Sequence, residues 1–435
     1  MQLVAYGAQD IYLTGNPQIT FFKVVYRRHT NFAVESIEQT FNGSADFNKR
    51  VTATISRNGD LIQQMYLELV LPDVGNTTGN EWTYGVGNAL VSQAEIEIGG
   101  QLIDRQYGDW MNIWTELTVP AGKRSGYDNM VGNALASGTE QDGELSNNTA
   151  TYRLYVPLQF WFNRNPGLAL PLIALQYHEV KLNLTLRPVS DLIQTVNVTS
   201  TTNPLSCKLY VDYVYLDTDE RRRFAQVSHE YLIEQVQFTG TETIASGSSN
   251  KNVTLNFNHP VKELIWAHTS SRRAQAYASG INGSGSWFNY SGLAPNGSDP
   301  STAVGVDSFQ TALLQLNGHD RFSVRNSDYF RKVQNYEHHT RVPRVGGDLA
   351  GTCADTVLRS FRQYIYSYSF ALSPEEHQPS GTCNFSRIDN AVLQLTYSSA
   401  VQTELTSNSL NLNVYAVNYN VLRIMSGMGG LAYSN

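Results

Sequence analysis

The amino-acid sequence predicts an all-β protein made of two tandem antiparallel jelly-roll sandwiches, each with eight strands, together with long loops and few short helices. Short motifs occur twice in the same order, about half a chain apart. Many short segments alternate apolar and polar residues, which is typical of half-buried strands. Long stretches rich in Gly, Ser and Asn separate these segments. A repeat this long indicates two copies of one domain, because solenoid repeats are roughly 20–50 residues long.

The clearest repeated motif ends in a turn dipeptide. Residues 96–101 read IEIGGQ and residues 314–319 read LQLNGH, so that Gly100 and Gly318 are 218 residues apart. The dipeptides Gly-Gly and Asn-Gly accept positive φ and predict a tight hairpin turn. An acidic–aromatic pair follows each copy, and two segments of clear alternation also correspond: Asp109-Trp110 with Asp328-Tyr329, and 180–186 with 391–397.

The first half of the chain begins with an arm, residues 1–24, which Gly and Pro interrupt. An apolar run over 19–26 follows and predicts a strand that is added either to a neighbouring molecule or to its own domain. Further strands are predicted over 65–71, 96–98, 152–162, 180–186 and 210–216, and long loops over 119–151 and 187–206.

The densest charge run of the chain, residues 217–223, lies between the two copies and predicts a linker or a short helix. Its arginines 221–223 are expected to pair with Asp217, Asp219 and Glu220 and to orient the two domains. In the second half, strands are predicted over 252–258, 261–268, 312–316, 364–372, 391–397 and 410–417, and long loops over 271–307 and 340–360.

These patterns predict four parts of the chain. An N-terminal arm is followed by a first jelly roll, an interdomain linker and a second jelly roll that includes the C-terminal tail. The respective ranges are 1–24, 25–216, 217–229 and 230–435.

Composition excludes several classes of function. The net charge of −7 and the pI of about 5.7 argue against a protein whose main task is to neutralise nucleic-acid phosphates. The three cysteines, Cys207, Cys353 and Cys383, have no metal-binding spacing and predict free thiols in a reducing compartment. No signal peptide is recognised, and no apolar run reaches the roughly 20 residues that cross a bilayer. We expect a soluble protein made in a cytosol.

The sequence contains fragments of known catalytic and metal-binding motifs, but each lacks a required residue. Residues 122–125 resemble the end of a phosphate-binding loop, but Leu117 stands where that loop requires glycine. His338 and His339 are adjacent, and in a strand they would point to opposite faces. The sequence therefore predicts no catalytic residue, no cofactor and no metal site. The aromatic residues at 364, 366, 368 and 370 share one face of a predicted strand and are expected to pack in a core or an interface.

Asn-x-Ser/Thr sequons are numerous, as expected in a chain rich in Asn, Ser and Thr. Three of them are seven residues apart within one glycine-rich stretch, where attachment of a glycan is sterically easy. The glycosylation candidates are Asn282, Asn289 and Asn296.

Four long strings resemble the major capsid proteins of nucleocytoplasmic large DNA viruses, and among these the proteins of algal viruses such as the chloroviruses. The resemblance spans the whole chain and is weakest in the loops 119–151, 187–206, 271–307, 340–360 and 398–409. The strings are LVAYGAQD at 3–10, PGLALPLIALQYHEV at 166–180, QPSGTCNFSRIDN at 378–390 and LRIMSGMGGLAY at 422–433.

The resemblance implies a structural protein that forms a homotrimeric, pseudo-hexagonal capsomer in an icosahedral shell around a membrane-bounded DNA genome. Implied partners are neighbouring capsomers, minor capsid proteins and a penton protein, with the internal viral membrane nearby but not entered and no direct contact with the genome. The chain would be made in the host cytoplasm and reside in the virion, with outward loops often glycosylated. We expect the arm, with Phe21, Phe22 and Tyr26, to face the inside of the shell or to clasp a neighbour.

Two other functions remain open at this point. A jelly roll can bind carbohydrate as a lectin does, and Trp287, Phe288 and Tyr290 are loop aromatics that could cradle a sugar. A cupin-like metalloenzyme is the second alternative, although no H-x-H cluster with a downstream Glu and His is present.

Overall fold

The computed structural model describes most of the chain, in eleven ranges. The described ranges are 7–72, 82–83, 85–132, 152–193, 204–245, 247–271, 287–291, 306–343, 364–399, 401–402 and 409–433. Two antiparallel sheets form from residues 32–216 and two more from residues 229–431. The predicted all-β class, two jelly-roll sandwiches in tandem, is confirmed.

Within the described ranges, the first sandwich has ten strands in two sheets. One sheet has the order β1-β10-β4-β7, with β8 beside β4, and the other has the order β2-β3-β9-β5-β6. The strands are β1 (Phe32–Gln39), β2 (Phe41–Asn42), β3 (Arg50–Thr54), β4 (Leu61–Leu71), β5 (Val91–Ile98), β6 (Gln101–Tyr107), β7 (Tyr152–Pro157), β8 (Leu170–Pro171), β9 (Val180–Leu186) and β10 (Ser206–Leu216).

The second sandwich repeats this arrangement, with eleven strands among the residues that the structure describes. Its sheets have the orders β11-β20-β13-β17, with β18 and β21 at the side, and β12-β19-β14-β15, with β16 beside β14. The strands are β11 (His229–Ile244), β12 (Asn250–Thr254), β13 (Pro260–Ser270), β14 (Thr311–Leu316), β15 (His319–Asp320), β16 (Arg325–Asn326), β17 (Tyr366–Ser369), β18 (Cys383–Asn384), β19 (Ala391–Thr396), β20 (Leu410–Met425) and β21 (Met428–Leu431).

Each sandwich is an eight-stranded jelly roll once its short accessory strands are set aside. Numbered along the chain, the eight principal strands have the sheet orders 1-8-3-6 and 2-7-4-5 in both halves. The first half uses β1, β3, β4, β5, β6, β7, β9 and β10 for these positions, and the second half uses β11, β12, β13, β14, β15, β17, β19 and β20.

The two halves also share a register shift. It lies where the third strand pairs with the eighth, between β4 and β10 and between β13 and β20. Such a bulge bends a strand and strengthens its twist, so its repetition shows that the halves agree in detail. The flanking pairs are Met65–Val211 and Ile62–Tyr213 in the first sandwich, and Glu263–Val417 and Val261–Asn418 in the second.

The predicted hairpin turns are present at both dipeptides. Gly99 and Gly100 have φ of 58° and 86° and join β5 to β6, while Asn317 and Gly318 have φ of 51° and 77° and join β14 to β15. Two successive positive φ angles match the right-handed twist of the strands, and few residue types other than Gly and Asn tolerate them.

Short helices lie between several of the strands, and one of them corrects a prediction. We expected a loop over 119–151, but a helix, α4 (Ala121–Val131), occupies its beginning; residues 133–151 lie outside the described ranges. The helices are α1 (Ile11–Thr14), α2 (Val86–Leu90), α3 (Gly108–Thr118), α4 (Ala121–Val131), α5 (Trp161–Arg164), α6 (Thr218–Gln226) and α7 (Gln334–His338), with a π-helical turn over Tyr329–Val333 before α7.

One continuous hydrophobic cluster fills both sandwiches and the space between them. Alternate residues of the principal strands supply it, as their sequence period of two predicts; Leu182, Leu184 and Leu186 of β9 and Leu393 and Leu395 of β19 are all buried. The predicted aromatic stripe of the second half also contributes, since Tyr364 and Tyr366 are buried. The two sandwiches are therefore packed against each other rather than joined by the linker alone.

Candidate assembly surfaces

The junction between the sandwiches is formed by two edge strands, β6 of the first and β11 of the second. The Gln235 side chain donates a hydrogen bond to the Ile103 carbonyl oxygen. The backbone N–H of Val236 donates to Asp104 Oδ1 at 3.2 Å. Aromatic rings complete this contact, with centroid distances of 5.0 Å for Phe238–Tyr107 and 5.4 Å for Tyr415–Trp110. The unpaired edge of β11 is thus covered within the chain.

The hairpin of β20 and β21 makes a second contact with the first sandwich. Leu431 N donates to Gln101 Oε1 at 3.2 Å, and Gly429 N donates to His178 Nδ1 at 3.1 Å. Tyr177 N donates to the carbonyl oxygen of Gly427 at 3.0 Å. Backbone groups of the C-terminal hairpin therefore depend on the first sandwich for their partners.

Residues 287–291 of the second half insert into the first sandwich. Trp287 Nε1 donates to Asp109 Oδ1 at 2.8 Å, and the Arg187 guanidinium lies 4.2 Å from the centre of the Trp287 ring. Asn112 Nδ2 donates to the Tyr290 hydroxyl at 3.0 Å. Together with Phe288, these rings are buried in the common core. The prediction that Trp287, Phe288 and Tyr290 could cradle a sugar is wrong, because side chains enclosed in a core present no face to a ligand.

A buried charge cluster supports the junction. Glu234 of β11 lies 3.2 Å from Arg164 of α5, 2.6 Å from Lys262 of β13 and 3.6 Å from His377. Burial raises the pKa of Glu234, but Arg164, His377 and Lys262 outweigh this effect and bring the pKa to about 2. Burial lowers the pKa of the fully buried Lys262. Glu234 is therefore ionised throughout the physiological range and depends on its cations.

A second buried charge cluster lies beside the first. His339 Nε2 lies 3.1 Å from Glu263, and His339 Nδ1 lies 3.0 Å from Glu375. Burial lowers the pKa of His339, but the two carboxylates outweigh it and raise the pKa to about 9. At neutral pH the imidazolium form therefore donates a hydrogen bond from Nδ1 to Glu375, and its Nε2 faces the Glu263 carboxylate as an ion pair. His338 and His339 lie at the end of α7 rather than in a strand. The two rings have different partners, since His338 Nδ1 contacts the Leu372 carbonyl oxygen.

Among the described carboxyl groups of the junction, Asp104 has a pKa close to neutral pH. Burial raises the pKa of Asp104 to about 7, against opposing contributions from the Val236 N–H and the charge of Arg164. The side chain also accepts from Gln106 Nε2 at 3.3 Å. The Asp104 carboxyl, and with it the charge of this junction, therefore titrates around pH 7.

The charge run between the sandwiches folds as α6, but its arginines are not paired as predicted. Arg221 Nε lies 3.0 Å from Asp60 Oδ1 in the first sandwich. Asp217 caps the helix through the backbone N–H of Thr218. The predicted local pairing with Asp217, Asp219 and Glu220 is therefore wrong for Arg221. Its guanidinium pairs instead with the buried carboxylate of Asp60, which needs a cation more than the solvent-exposed acids of the helix do.

The described part of the arm, residues 7–24, and the residues that follow it up to 31 have exposed apolar side chains. Phe22 is 99% exposed, and Phe21 and Tyr26 are nearly as open. Residues 19–26 belong to none of the four sheets, so the alternative that they add a strand to their own domain is wrong. An exposed apolar segment of this length marks an interaction surface.

The sequon in the middle of the glycine-rich stretch is enclosed. Asn289 is 2% exposed, and its Oδ1 accepts from Ser291 N at 3.0 Å. This position argues against glycosylation of Asn289 in the folded chain, because a glycan needs an open side-chain amide. Asn282 and Asn296 lie outside the described residues.

The remaining predictions concern thiols, metals and membranes. Cys207 and Cys383 are free thiols, and burial raises the pKa of Cys207 to about 12; Cys353 lies outside the described residues. Across the ranges given above, no three His, Cys, Asp or Glu side chains are grouped to hold a metal ion. Within those same ranges, no helix has the length and apolar character of a membrane span.

Family models match both halves of the chain. Residues 20–217 match the model of the major capsid protein N-terminus, and residues 220–349 and 355–430 match the model of the large eukaryotic DNA virus major capsid protein. The major capsid protein of Pyramimonas orientalis virus is 53% identical over 448 residues, which cover 100% of this chain and 99% of that protein. The major capsid protein of Paramecium bursaria Chlorella virus 1 is 46% identical over 468 residues, with the same coverage.

Solved structures agree with these matches. A chain of the PBCV-1 virus capsid quasi-atomic model superposes with a TM-score of 0.75 at 41% identity, covering 96% of this chain and 100% of that chain. The Faustovirus major capsid protein shares the fold, with a TM-score of 0.69 at 13% identity over 97% of this chain and 94% of that chain. This chain belongs to the major capsid proteins of large eukaryotic DNA viruses, and its place is in the capsid shell of the virion.

Proposed function

We propose that three copies of this chain form one capsomer, a homotrimer whose six jelly rolls give it a pseudo-hexagonal outline. The observation that supports this proposal is the strand-by-strand duplication, since each chain brings two sandwiches of the same strand order. Closed cyclic symmetry is the usual form of soluble homo-oligomers. Three such chains present six similar lobes and fill a hexagonal lattice, whereas a chain with one sandwich needs six copies for the same tile.

Sedimentation of the full chain in dilute neutral buffer tests this proposal. We expect a particle of three times the 48.5 kDa chain mass, without a detectable folded monomer, because obligate interfaces bury more than about 2,000 Å². Contacts between capsomers are flatter and weaker in this proposal, so that a growing lattice corrects its errors. A stable folded monomer at micromolar concentration would contradict the proposal.

The arm acts in assembly beyond the capsomer in this proposal. Its exposed Phe21, Phe22 and Tyr26 contact the inner side of the shell or clasp a neighbouring capsomer. Removal of residues 1–24 is expected to leave a folded trimer that assembles poorly. The matched control replaces Phe21 and Phe22 by Ser in the full-length chain, which keeps the arm and removes its apolar contacts. Normal shells from both variants would refute the role.

The finer organisation belongs to the same proposal. We divide the chain into the arm 1–24, the first jelly roll 25–216, the linker 217–229 and the second jelly roll 230–435. The protein is structural and not an enzyme, is made in the host cytoplasm, and meets minor capsid proteins, a penton protein and the face of an internal membrane. Its net charge of −7 supports the absence of direct genome binding. Mass spectrometry of intact virions tests for these neighbours and for glycans, with Asn282 and Asn296 as the remaining candidates.

A further inference from the structure

A cleft opens on the solvent side of the first sandwich, between the strands β4 and β7 and the helices α4 and α5. It encloses about 420 Å³, which lies within the range of roughly 300–1,000 Å³ for small-molecule sites. The side chains that line it are mainly apolar. They include Met65 and Tyr66 of β4, Tyr155 and Pro157 of β7, Leu158 and, from α4, Met130.

The apolar part of the cleft is shaped by side chains that already contact one another. Met65 and Leu158 are buried, and Leu158 N donates a hydrogen bond to the Met65 carbonyl oxygen at 3.0 Å. The rings of Tyr66 and Tyr155 meet edge to face, with centroids 6.2 Å apart. Met130 is 39% exposed at the opening. An aliphatic group placed here would lose its contact with water without any rearrangement of the core.

One end of the cleft carries a positive charge. Arg164 of α5 is the only charged residue among the described residues that line the cleft. Its Nη2 lies 3.2 Å from Glu234 Oε2, and its guanidinium carbon lies 4.9 Å from the centre of the Trp114 ring. Within the part of the chain that the structure describes, its buried Nε and Nη2 donate no hydrogen bond. Buried donors without an acceptor are costly, so this guanidinium favours an additional anion.

The carboxylate next to Arg164 is shared between two cations. Glu234 lies 2.6 Å from Lys262 as well as 3.2 Å from Arg164. Asp104 also interacts with Arg164, but its pKa of about 7 leaves it only partly ionised at neutral pH. Buried cations need close compensation by anions. Arg164 therefore has capacity for a further carboxylate on the side of the cleft.

The second sandwich fills the matching position with its own side chains. Glu263 precedes a buried core residue of β13 as Gln64 precedes Met65 in β4, but Glu263 is fully buried. It pairs with His339, which also pairs with Glu375, so the cation at this position has two carboxylates. Gln64, by contrast, is exposed and lines the cleft. The first sandwich thus leaves open a position at which the second places acidic side chains.

We infer that this cleft binds a small amphiphilic carboxylate of the class of medium-chain fatty acids. The carboxylate pairs with Arg164, and the aliphatic tail lies between Met130, Tyr66 and Tyr155. One chain forms the whole site, so the inference goes beyond the proposed capsomer and does not rest on it. The bound ligand contacts α4, α5, β4 and β7 together and stabilises the folded chain as its concentration rises.

Isothermal titration calorimetry of the full chain at neutral pH tests the inference with three probes, each kept below its micelle concentration. Dodecanoate has both the carboxylate and the tail. Acetate has only the carboxylate, and dodecyltrimethylammonium has the same tail with a positive charge. We expect one dodecanoate to bind per chain. Acetate and dodecyltrimethylammonium should each bind at least about tenfold more weakly, because each lacks one of the two contacts.

The variant Gln64→Glu gives the first sandwich the acid that the second carries. It should weaken dodecanoate binding by about tenfold or more, because the new carboxylate competes for Arg164 and repels the ligand. The exposed position of Gln64 allows the change without loss of the fold. Gln176→Glu is the matched control. It makes the same change of charge at another exposed glutamine, outside the cleft, and should leave binding unchanged.

The variant Arg164→Met tests the charge of the site directly. It should abolish the preference for dodecanoate over dodecyltrimethylammonium, whereas Arg164→Lys, which keeps the charge, should retain that preference. A purely structural role of Arg164 would leave the preference unchanged. Circular dichroism shows whether each variant is folded. If Arg164→Met does not fold, Gln64→Glu still decides the inference.

The outcomes separate this inference from the proposed capsomer. Wild-type protein that binds dodecanoate no better than acetate or dodecyltrimethylammonium overturns the inference, as does equal binding by the wild type and Gln64→Glu. A wild-type trimer that binds no dodecanoate also overturns it and leaves the capsomer standing. Selective dodecanoate binding by a chain that sediments as a monomer supports the inference and removes the capsomer proposal.

Discussion

The two sandwiches place different side chains at the same register shift, although their strand orders agree. In the first, Gln63 and Gln64 occupy the shift and reach the surface. In the second, the equivalent Lys262 and Glu263 are fully buried. The second position lies under Arg164 of α5 and under the segment that carries His339. The same backbone position therefore carries different side chains in the two sandwiches, according to whether another part of the chain covers it.

The charged side chains buried at the register shift of the second sandwich need partners of opposite charge. A charge removed from water is costly unless it is paired and hydrogen-bonded. Lys262 meets Glu234, and Glu263 meets His339, at 2.6 Å and 3.1 Å. The second sandwich depends on this pairing, whereas the glutamines of the first do not need a partner of opposite charge. The comparison predicts that replacing a buried charged residue of the second sandwich by a neutral one lowers the free energy of unfolding much more than the same change at an exposed position.

The largest expected effect comes from Glu234→Gln. This change leaves Arg164 and Lys262 buried without their carboxylate, and we expect a loss of about 3–5 kcal/mol in the free energy of unfolding. Glu230→Gln is the control, because Glu230 lies on the same strand and pairs with Arg423 in an exposed bridge. Its loss should stay below about 1 kcal/mol.

Urea unfolding of the full chain at one protein concentration measures both variants, since oligomers change stability with concentration. Equal small losses for Glu234→Gln and Glu230→Gln would show that the buried cluster does not stabilise the junction.

A second large effect is expected from Trp287→Ala, which empties a site in the first sandwich that the second sandwich fills. The loss should be about 3–5 kcal/mol, as for other buried aromatic truncations. Trp287→Phe keeps an aromatic ring but removes the donor to Asp109 and part of the indole volume, so an intermediate loss of about 1–2 kcal/mol is expected. A biphasic unfolding curve for Trp287→Ala would show in addition that this segment couples the two sandwiches. Indistinguishable curves for the two variants would mean that the ring contributes little.

The sequence predicts the parts of the fold that depend on local period and turn chemistry. The alternation of β9 and β19 and the dipeptides at 99–100 and 317–318 each define their own element. The helix α3 was not predicted, although its apolar residues Trp110, Ile113, Trp114 and Leu117 recur at helical spacing; what the sequence does not mark is the burial of its polar residues as well. The predicted strand over 152–162 ends at Pro157, because α5 continues its apolar run and period-two alternation does not separate the two elements.

The assembly surfaces are less accessible to sequence reasoning. The bond from Trp287 to Asp109 joins residues 178 positions apart, and no local pattern marks either as a partner of the other. The even spacing of three sequons likewise carries no information on burial, as Asn289 shows.

A smaller effect concerns pH and separates two junction groups. The pKa of Asp104 is raised from 3.8 to about 7, so its neutral form stabilises the folded chain at low pH, and this contribution is lost as pH rises through 7. Asp104→Asn should therefore remove most of the fall in melting temperature between pH 4 and pH 6.5, a range below the one in which His339 loses its proton. A wild-type profile that is flat over this range, or a variant that keeps the slope, would contradict the assignment.

His339 provides the contrast at higher pH. Its pKa is raised from 6.5 to about 9, so the stabilising imidazolium persists to higher pH and is lost as pH rises through 9. Asp104→Asn should leave this alkaline loss unchanged, whereas His339→Gln should remove it. The same melting-temperature series, extended to pH 10, measures both.

The smallest effect compares the two hairpin turns. Asn317 holds a φ of 51° in the second sandwich, so an asparagine is compatible with the backbone of this turn. Its counterpart Gly99 has a similar φ of 58°, but a Cβ at Gly99 would meet the imidazole of His178. We expect Gly99→Asn to cost about 1–2 kcal/mol in the free energy of unfolding, because the side chain must displace His178 from its bond with Gly429.

The control for this prediction is His178→Ala. In that background the imidazole is absent, so adding Gly99→Asn should cost no more than a few tenths of a kcal/mol, the value typical of a tolerated turn substitution. An equal cost in both backgrounds would place the strain in the backbone rather than in the contact with His178. The two turns would then differ in their φ and ψ requirements, and the likeness of the sandwiches would not extend to the backbone of this hairpin.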